Sequence, residues 1–313
     1  MKILDTVINK GKQSIVKLPV GQLPSGTRIS ICAHVYRAKQ RGPCMLIVGG
    51  VHGDEINGVE IVRDAIKKGL FSDLKRGSVI AIPVLNVYGF INFSREVPDG
   101  KDVNRSFPGT AKGSLASRVA FALHKNILPF VDFGIDFHTG GRSNFNLPQI
   151  RFTKGDKEAE KLALTFGAPL TLPYVAIRKS LRKIAFDKHQ ARMLVFEGGE
   201  NLRYDKNSID IGLGGIERLL AAHGMIDAVF EDQDSMQFSK SKWVRASVGG
   251  VFQWIKSSGE SVEKGEKIGF INDPQAIKST RYLLAPVDGF IFGHNNTPVV
   301  SQGDALFHIA FNE

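Results

Sequence analysis

The chain has 313 residues, of which 42% are hydrophobic, so it can build one large domain or a larger domain with a small companion. Its net charge of +10 favours anionic partners, but the basic residues are scattered and no nucleic-acid-binding motif accompanies them, so we expect no nucleic acid partner. Because the sequence contains no apolar run of about 18 residues, no secretory signal and only two cysteines, we expect a protein of the reducing cytoplasm that does not bind a membrane.

Short apolar runs alternate with helical patterns through the first two-thirds of the chain. In chain order, the sequence predicts a strand at Ile29 to Tyr36, a strand at Met45 to Val51, a helix at Gly58 to Lys68, a strand at Val79 to Leu85, a helix at Ser114 to Leu128, a strand at Phe133 to His138, a helix at Asp156 to Phe166, a strand at Met193 to Phe196 and a helix at Ile209 to His223. This alternation predicts an α/β fold with a mixed or parallel sheet and helices on both faces.

The pattern changes after residue 230. A polar segment, 231–242, is predicted to link a catalytic domain, 1–230, to a small all-β domain, 243–313. The latter contains an internal repeat, because A-S-V-G-G and V-E-K-G-E are followed at similar spacing by A-P-V-D-G and V-S-Q-G-D. These motifs resemble the biotinyl/lipoyl barrel-sandwich family. Lys278 lacks the flanking methionines of a cofactor attachment site, so we expect the domain to be structural or to form a rim of the active site.

Two glycine-rich turns at strand ends carry metal-binding side chains. G-G-V-H-G-D-E contains His52 and Glu55, whose spacing on a turn entering a helix lets both side chains converge. D-F-H-T-G-G contains His138, and adjacent parallel strands would bring both turns to one edge of the sheet. Imidazole and carboxylate are ordinary zinc ligands, and Asp136 is the nearest candidate to orient one of them. The pattern therefore predicts a zinc site with three protein ligands, against the alternative of a turn histidine and a glutamate at a helix N-terminus.

Polar residues in two further segments suit substrate binding and proton transfer. Asn104 and Arg105 offer donors for a carboxylate, although a loop arginine paired with a nearby aspartate remains an alternative. Arg95 could polarise a carbonyl and hold a developing oxyanion. Glu197 and Glu200 follow an apolar strand, and Glu197 is the preferred general base because it lies closer to that strand.

Four motifs in order, G-G-V-H-G-D-E, D-V-N-R-S-F-P-G, D-F-H-T-G-G and F-E-G-G-E, resemble the succinylglutamate desuccinylase/aspartoacylase family of zinc carboxypeptidase-like proteins. The resemblance spans about residues 40 to 225. It implies an α/β/α sandwich with a mixed central sheet and one zinc ion per chain, held by His52, Glu55 and His138.

The resemblance also implies that Asn104 and Arg105 bind the substrate carboxylate, that Glu197 is the general base and proton shuttle, and that Arg95 polarises the carbonyl. The spacing from Arg95 to the Asn-Arg pair is looser here than in aspartoacylase. A tyrosine often completes the site in this family, and three candidates stay unranked: Tyr174, Tyr204 and Tyr282.

The sequence thus predicts a zinc-dependent hydrolase that deacylates an N-acyl amino acid or another small, anionic amide. One alternative is a metallocarboxypeptidase that releases a C-terminal residue, and another is a non-catalytic small-molecule-binding protein. The acyl group, the amino acid and the oligomeric state are not readable from the sequence, with which a homo-oligomer is compatible.

Overall fold

The computed structural model describes residues 1–231 and 233–312, so Asp232 of the predicted linker and Glu313 of the predicted C-terminal domain lie outside the described residues. The strands are β1 (Lys2–Ile3), β2 (Thr6–Val7), β3 (Lys12–Gln22), β4 (Arg28–Arg37), β5 (Gln40–Val48), β6 (Arg76–Ile82), β7 (Phe133–Gly140), β8 (Asn144–Thr153), β9 (Leu170–Tyr174), β10 (Arg192–Glu200), β11 (Met236–Gln237), β12 (Lys240–Arg245), β13 (Gly250–Trp254), β14 (Ser261–Val262), β15 (Lys267–Asn272), β16 (Arg281–Leu284), β17 (Gly289–Asn295), β18 (Val299–Val300) and β19 (Ala305–Phe311). The helices are α1 (Ile56–Lys67), α2 (Val87–Ile91), α3 (Leu115–Asn126), α4 (Lys157–Phe166), α5 (Leu181–His189) and α6 (Lys206–Ala222), with single 3₁₀ turns at Val103–Arg105 and Leu128–Phe130.

The central sheet is mixed, as the sequence predicts. Its strands follow the order β3-β4-β6-β5-β7-β10-β8, and the sheet continues through β17 and β19 to β12. Strands β6, β5, β7 and β10 run parallel, whereas β4 and β3 are antiparallel to their neighbours and β8 is antiparallel to β10. The four parallel strands therefore deliver their carboxyl ends to one edge of the sheet.

Helices cover both faces of this sheet because its central strands are apolar on both sides. Leu46 and Val48 of β5 join one core with α3 and α5, whereas Met45 and Ile47 of the same strand join a second core with α1, α4 and α6. The period of two residues along β5 thus divides its side chains between two helical layers.

An aromatic group lies at the centre of the second core. Phe196 is fully buried, and its ring centroid lies 5.4 Å from that of Phe137 and 5.6 Å from that of Phe166.

We expect Phe196→Ala to lower the free energy of unfolding by about 3–5 kcal/mol, because it removes buried surface and leaves a cavity. Chemical denaturation measures this change. Val229→Ala, at a fully exposed position, is the control, and a similar loss in both variants would contradict the assignment of Phe196 to the core.

All nine predicted elements are present, but their ends differ and further elements were not predicted. Strand β10 extends to Glu200, so Glu197 lies within the strand and not after it. Strands β3, β8 and β9 and helices α2 and α5 are absent from the prediction. Strand β8 contains two asparagines and a proline, and α5 is short and mostly polar, so neither has a clear apolar period.

Residues 240–312 form strands and short connections without a helix. Strands β16, β15, β13 and β18 make a second, four-stranded sheet. The two repeats exchange short strands, since β14 of the first pairs with β17 of the second and β18 of the second pairs with β13 of the first. This exchange agrees with the internal repeat, whereas the likeness to biotinyl/lipoyl domains and the domain boundaries remain predictions.

The predicted linker, 231–242, contains regular secondary structure. Strand β11 and the beginning of β12 lie inside 231–242, where β11 pairs with β9 and β12 pairs with β19.

Among the helices of the described residues, none has both the length and the apolar character that a membrane-spanning segment requires.

Candidate functional site

The turn after β5 has a backbone that only glycine accommodates easily. Gly50 adopts a φ of 58°, in the left-handed region. A Cβ atom on Gly53 would lie 1.9 Å from the carbonyl carbon of Gly89, so the backbone of α2 approaches this turn closely. These two glycines let the chain turn sharply between β5 and α1, and they place His52 and Glu55 at the carboxyl edge of the sheet.

His52, Glu55 and His138 meet at this edge. Nδ1 of His52 lies 2.8 Å from Oε1 of Glu55, and Nδ1 of His138 lies 2.7 Å from Oε2 of the same carboxylate. The two Nδ1 atoms are 3.1 Å apart. All three side chains are buried, and one ligand atom from each lies within 4.8 Å of the others. The sequence-based expectation that these side chains converge is therefore met, and the group can bind a metal ion.

Each histidine presents its other ring nitrogen to a carboxylate. Nε2 of His52 lies 3.2 Å from Oδ1 of Asp102, and Nε2 of His138 lies 2.9 Å from Oδ2 of Asp136. The second contact is an ion pair, and neither carboxylate oxygen of Asp136 has a hydrogen-bond partner among the described residues. Carboxylates in this position orient imidazole ligands and raise their basicity. The sequence points to Asp136 but assigns no role to Asp102, which lies in a distant segment.

The electrostatics of the group favour a cation. Burial lowers the pKa of His52, but the carboxylates of Glu55 and Asp102 outweigh it and raise that pKa above its usual value. For His138, burial is likewise outweighed by Asp136 and Glu55, and the pKa rises well above the usual value. The buried carboxylates therefore create a negative potential at the two imidazoles, which a divalent cation would neutralise.

Arg95 lies beside this group. Its Nη1 donates to Oε1 of Glu55 at 3.2 Å, and its Nη2 donates to Oδ2 of Asp102 at 2.9 Å. The Arg95 side chain is 30% exposed and lines the cavity in front of the histidines. The structure thus places Arg95 within reach of a reacting group, and its role as carbonyl-polarising residue remains a prediction.

Glu197 enters the same cavity from the neighbouring strand. In the parallel ladder of β10 and β7, Glu197 pairs directly with His138, so their side chains lie on the same face of the sheet. Oε2 of Glu197 accepts a hydrogen bond from Asn146 at 3.0 Å, and Oε1 accepts one from Arg151 at 3.0 Å. Glu200, the alternative base, instead accepts a hydrogen bond from Asn296 at the surface. This placement favours Glu197 over Glu200 as the proton acceptor.

Asn104 and Arg105 line the cavity, whose volume is about 240 Å³. Oδ1 of Asn104 accepts a hydrogen bond from the backbone N–H of Leu181 at the start of α5, so its Nδ2 group is the part of the amide that can donate to a substrate. Arg105 is exposed, and its Nη1 donates to the carbonyl of Asn104 at 2.8 Å. The contact between α5 and the 3₁₀ turn therefore fixes the Asn104 side chain.

A further arginine, which the sequence does not single out, lies deep in the cavity. Arg182 is 7% exposed, and its Nη1 has no hydrogen-bond partner among the described residues. Burial, together with the charge of Arg151, lowers the pKa of Arg182 to about 10, so the guanidinium remains charged at neutral pH. In the sequence, Arg182 belongs to a basic cluster from Arg178 to Lys183 that resembles a solvated surface. Within that cluster, Arg182 lies next to the apolar positions of the helix, and this is the one sequence signal that could have indicated that it is buried.

The structure ranks the three candidate tyrosines. Tyr174 lines the cavity together with Trp243 of β12. Tyr204 and Tyr282 are 70% and 51% exposed and do not line it. Tyr174 is therefore the tyrosine that the fold brings to the site.

The succinylglutamate desuccinylase/aspartoacylase catalytic domain model matches residues 41–223, which is more than half of the chain. The chain belongs to this family. The matched segment contains the converging histidines and Glu55, the Asn-Arg pair and Glu197, and it ends before the C-terminal strands.

Three similar proteins match nearly the whole length of this chain. N-alpha-acetyl-L-2,4-diaminobutyric acid deacetylase of Halomonas elongata is 26% identical over 96% of this chain and 91% of that protein. A succinylglutamate desuccinylase/aspartoacylase from Rhodobacter sphaeroides superposes with a TM-score of 0.85 at 26% identity and covers 96% of both chains. The product-bound ectoine utilization protein EutE of Ruegeria pomeroyi has a TM-score of 0.86 at 20% identity, covers 96% of this chain and 94% of its own, and supports the fold alone. Because 96% of this chain is covered, the likeness to the Rhodobacter structure extends into the C-terminal strands.

Proposed function

We propose that this protein is a zinc-dependent amidohydrolase that removes the acyl group from an N-acyl amino acid. The observation that carries the proposal is the convergence of His52, Glu55 and His138 in a buried group, with the carboxylate of Glu197 on the adjacent strand. Membership of a deacylase family supports the same reaction class. An amide bond placed between these two features would meet a metal site and a proton acceptor together.

The residues fit zinc. Two imidazole nitrogens and one carboxylate form a typical set of three protein ligands for a catalytic zinc ion, and both imidazoles are oriented by a further carboxylate. A bound zinc ion would act as a Lewis acid and lower the pKa of an attacking water molecule to about 7. A zinc ion at this position would be one per chain, held by His52, Glu55 and His138.

The remaining residues divide between proton transfer and substrate binding. Glu197 accepts the proton of the attacking water and returns it to the leaving amine. Asn104, Arg105 and Arg182 hold the substrate carboxylate, since all three present donors to the same cavity. Arg95 donates to the scissile carbonyl oxygen as negative charge develops there. Holding the carboxylate fixes the amide near Glu197, which raises the rate by proximity.

The charged residues of the cavity indicate which substrate side chains it can accept. Four arginines line it, and the carboxylates of Glu55, Asp136 and Glu197 are each in contact with a cationic or imidazole group. The Halomonas deacetylase is named for a substrate that bears a second amine. A cationic substrate side chain would lie beside these arginines, and each carboxylate among the described lining residues already contacts a cationic or imidazole group. We therefore expect substrates with neutral or anionic side chains to be preferred.

Metal analysis combined with a substrate panel tests the proposal. We expect about one zinc per purified chain, and hydrolysis of acetyl-, succinyl- or formyl-amino acids that stops on chelation and returns with zinc. The panel should include N-alpha-acetyl-diaminobutyrate and peptides with a free C-terminus. Release of a C-terminal residue in preference to an acyl group would instead support a carboxypeptidase, and a metal-free chain without activity after zinc addition would support a binding protein.

Arg182→Met tests the binding of the substrate carboxylate. Loss of a charge-assisted hydrogen bond costs about 1.5–3 kcal/mol, so KM should rise about 10- to 150-fold while kcat changes little. The melting temperature without substrate should stay equal or rise, because methionine removes a buried charge whose Nη1 lacks a partner. Steady-state kinetics and thermal unfolding measure both effects.

Arg218→Met is the matched control. Arg218 is also partly buried, but it donates to the carbonyl of Phe166 at 2.9 Å, far from the cavity. This variant should lose stability and keep its KM. Equal KM values for the Arg182 variant and the wild type would remove Arg182 from substrate binding.

A further inference from the structure

Two side chains of β8 hold the carboxylate of Glu197. Asn146 donates to Oε2 and Arg151 donates to Oε1, each at 3.0 Å. Strand β8 runs antiparallel to β10, and Glu197 pairs with Gln149 between these two donors. The carboxylate is therefore bound through both oxygens, and its direction depends on where Arg151 is held.

The guanidinium of Arg151 is fixed in turn by Tyr174. The Cζ atom of Arg151 lies 4.7 Å from the centre of the Tyr174 ring, within the range of a cation–π contact. Strand β9, which carries Tyr174, runs parallel to β8 on the side away from β10. A contact of this kind with an aromatic ring limits the rotation of the long arginine side chain.

The hydroxyl of Tyr174 is bound by the C-terminal strands. It lies 2.9 Å from Oγ of Ser241 on β12 and 3.4 Å from Nε2 of His308 on β19, and the Ser241 and His308 atoms are themselves 3.0 Å apart. The His308 ring stacks on Trp243 with centroids 3.8 Å apart. These contacts join the strands after residue 239 to the residues around Glu197.

His308 is suited to this place because it is neutral. Burial, with a smaller effect from the charge of Arg151, holds the pKa of His308 well below its usual value. A neutral ring does not repel the nearby guanidinium, and it can share hydrogen bonds with the two hydroxyl groups. The network thus forms without a second positive charge beside Arg151.

We propose that Arg151 is a positioning residue for Glu197, and that the C-terminal β strands fix Arg151 through Tyr174, Ser241 and His308. This inference rests on the proposed function in assigning a proton-transfer role to Glu197. It makes the C-terminal strands part of the active-site framework, because their contacts determine the direction of the general base.

Four variants of the zinc-loaded full chain test the inference: Arg151→Ala, Arg151→Lys, Tyr174→Phe and Arg245→Ala. Misplacing a catalytic group by about 1 Å costs about 100-fold in rate, so Arg151→Ala should lower kcat by about 30- to 100-fold and leave KM within about threefold. Arg151→Lys should recover part of the loss, and so should millimolar guanidinium added to the alanine variant. Tyr174→Phe keeps the ring but loses the hydroxyl bonds, so its kcat should fall about two- to tenfold.

Arg245→Ala is the control, since Arg245 is exposed on β12 and donates to the carbonyl of Gly303. It should keep wild-type kinetics. A rise in KM at unchanged kcat for Arg151→Ala would overturn the inference and make Arg151 a substrate-binding residue. Zinc content of each variant must match the wild type, because a loss of metal would instead point to a collapse of the site and would also overturn the inference.

Crystal structures of the wild type and of Arg151→Ala decide the inference without any activity measurement. We expect the Glu197 carboxylate to leave its place between Asn146 and Arg151 in the variant. An unmoved carboxylate would overturn the inference even in an active enzyme. Failure of the wild type to hydrolyse any acyl-amino acid would refute the proposed function, while a displaced Glu197 in the variant would still support the positioning contact.

Discussion

Glu197→Gln should lower kcat by about 10²- to 10⁴-fold, the usual contribution of a general acid–base group, while the metal content stays unchanged. Glutamine has nearly the same shape and can keep a hydrogen bond to Asn146 or Arg151, so the fold around β10 should be retained. It cannot accept a proton from water. Single-turnover and steady-state kinetics with an acyl-amino acid, together with zinc analysis, measure the effect.

Glu200→Gln provides a matched control three residues away on the same strand. Glu200 accepts a hydrogen bond from Asn296 and does not line the cavity, so its replacement should leave kcat within about threefold, as is usual for surface substitutions. Full activity in Glu197→Gln would remove Glu197 from proton transfer. A loss of the same size in both variants would point to a general disturbance of β10.

His138→Ala should abolish stable zinc binding and, with it, measurable hydrolysis. Changing an outer partner of a metal ligand costs about 10- to 100-fold in affinity, and loss of a direct ligand should cost more. Asp102→Asn, which keeps the size of a side chain 3.2 Å from His52, should give the intermediate result. Competition with a zinc-binding dye ranks the affinities of the wild type and both variants.

Zinc binding should also stabilise the folded chain against thermal unfolding. Because a metal that binds the folded chain stabilises it by about 4 kcal/mol at 1,000 times its dissociation constant, zinc should raise the melting temperature of the wild type and not that of His138→Ala. His124→Ala is the control, since His124 pairs with His189 in another part of the fold. An equal zinc-dependent shift in His138→Ala would exclude His138 as a ligand.

The histidines and the glutamate at the strand ends could be predicted as site candidates from the sequence. His52 and His138 each follow or end a continuous apolar run beside glycines, and this pattern is local, so it is readable without the fold. Their convergence also followed, because β5 and β7 are adjacent and parallel. The same signal selected Glu197 as a candidate, and its direct pairing with His138 places it beside the histidines.

Other residues of the site have no local signal. Arg182 lies on a short polar helix, and Arg151 lies on a strand whose asparagines and proline hide its period. Asp102 contacts His52 across 50 positions of sequence. Tyr174 was one of three equivalent candidates until the pairing of β9 with β8 placed it in the cavity.

The sequence by itself determined the alternating α/β pattern, the metal-binding residue types and their places at strand ends, because hydrophobic period and glycine turns act over a few neighbouring residues. Only the tertiary structure decided which carboxylates contact the histidines, which arginine of the cavity is left without a full set of partners, and how β12 and β19 reach Tyr174. Those contacts join segments far apart in the chain, and their energies depend on burial and on distances that exist only once the sheet has assembled.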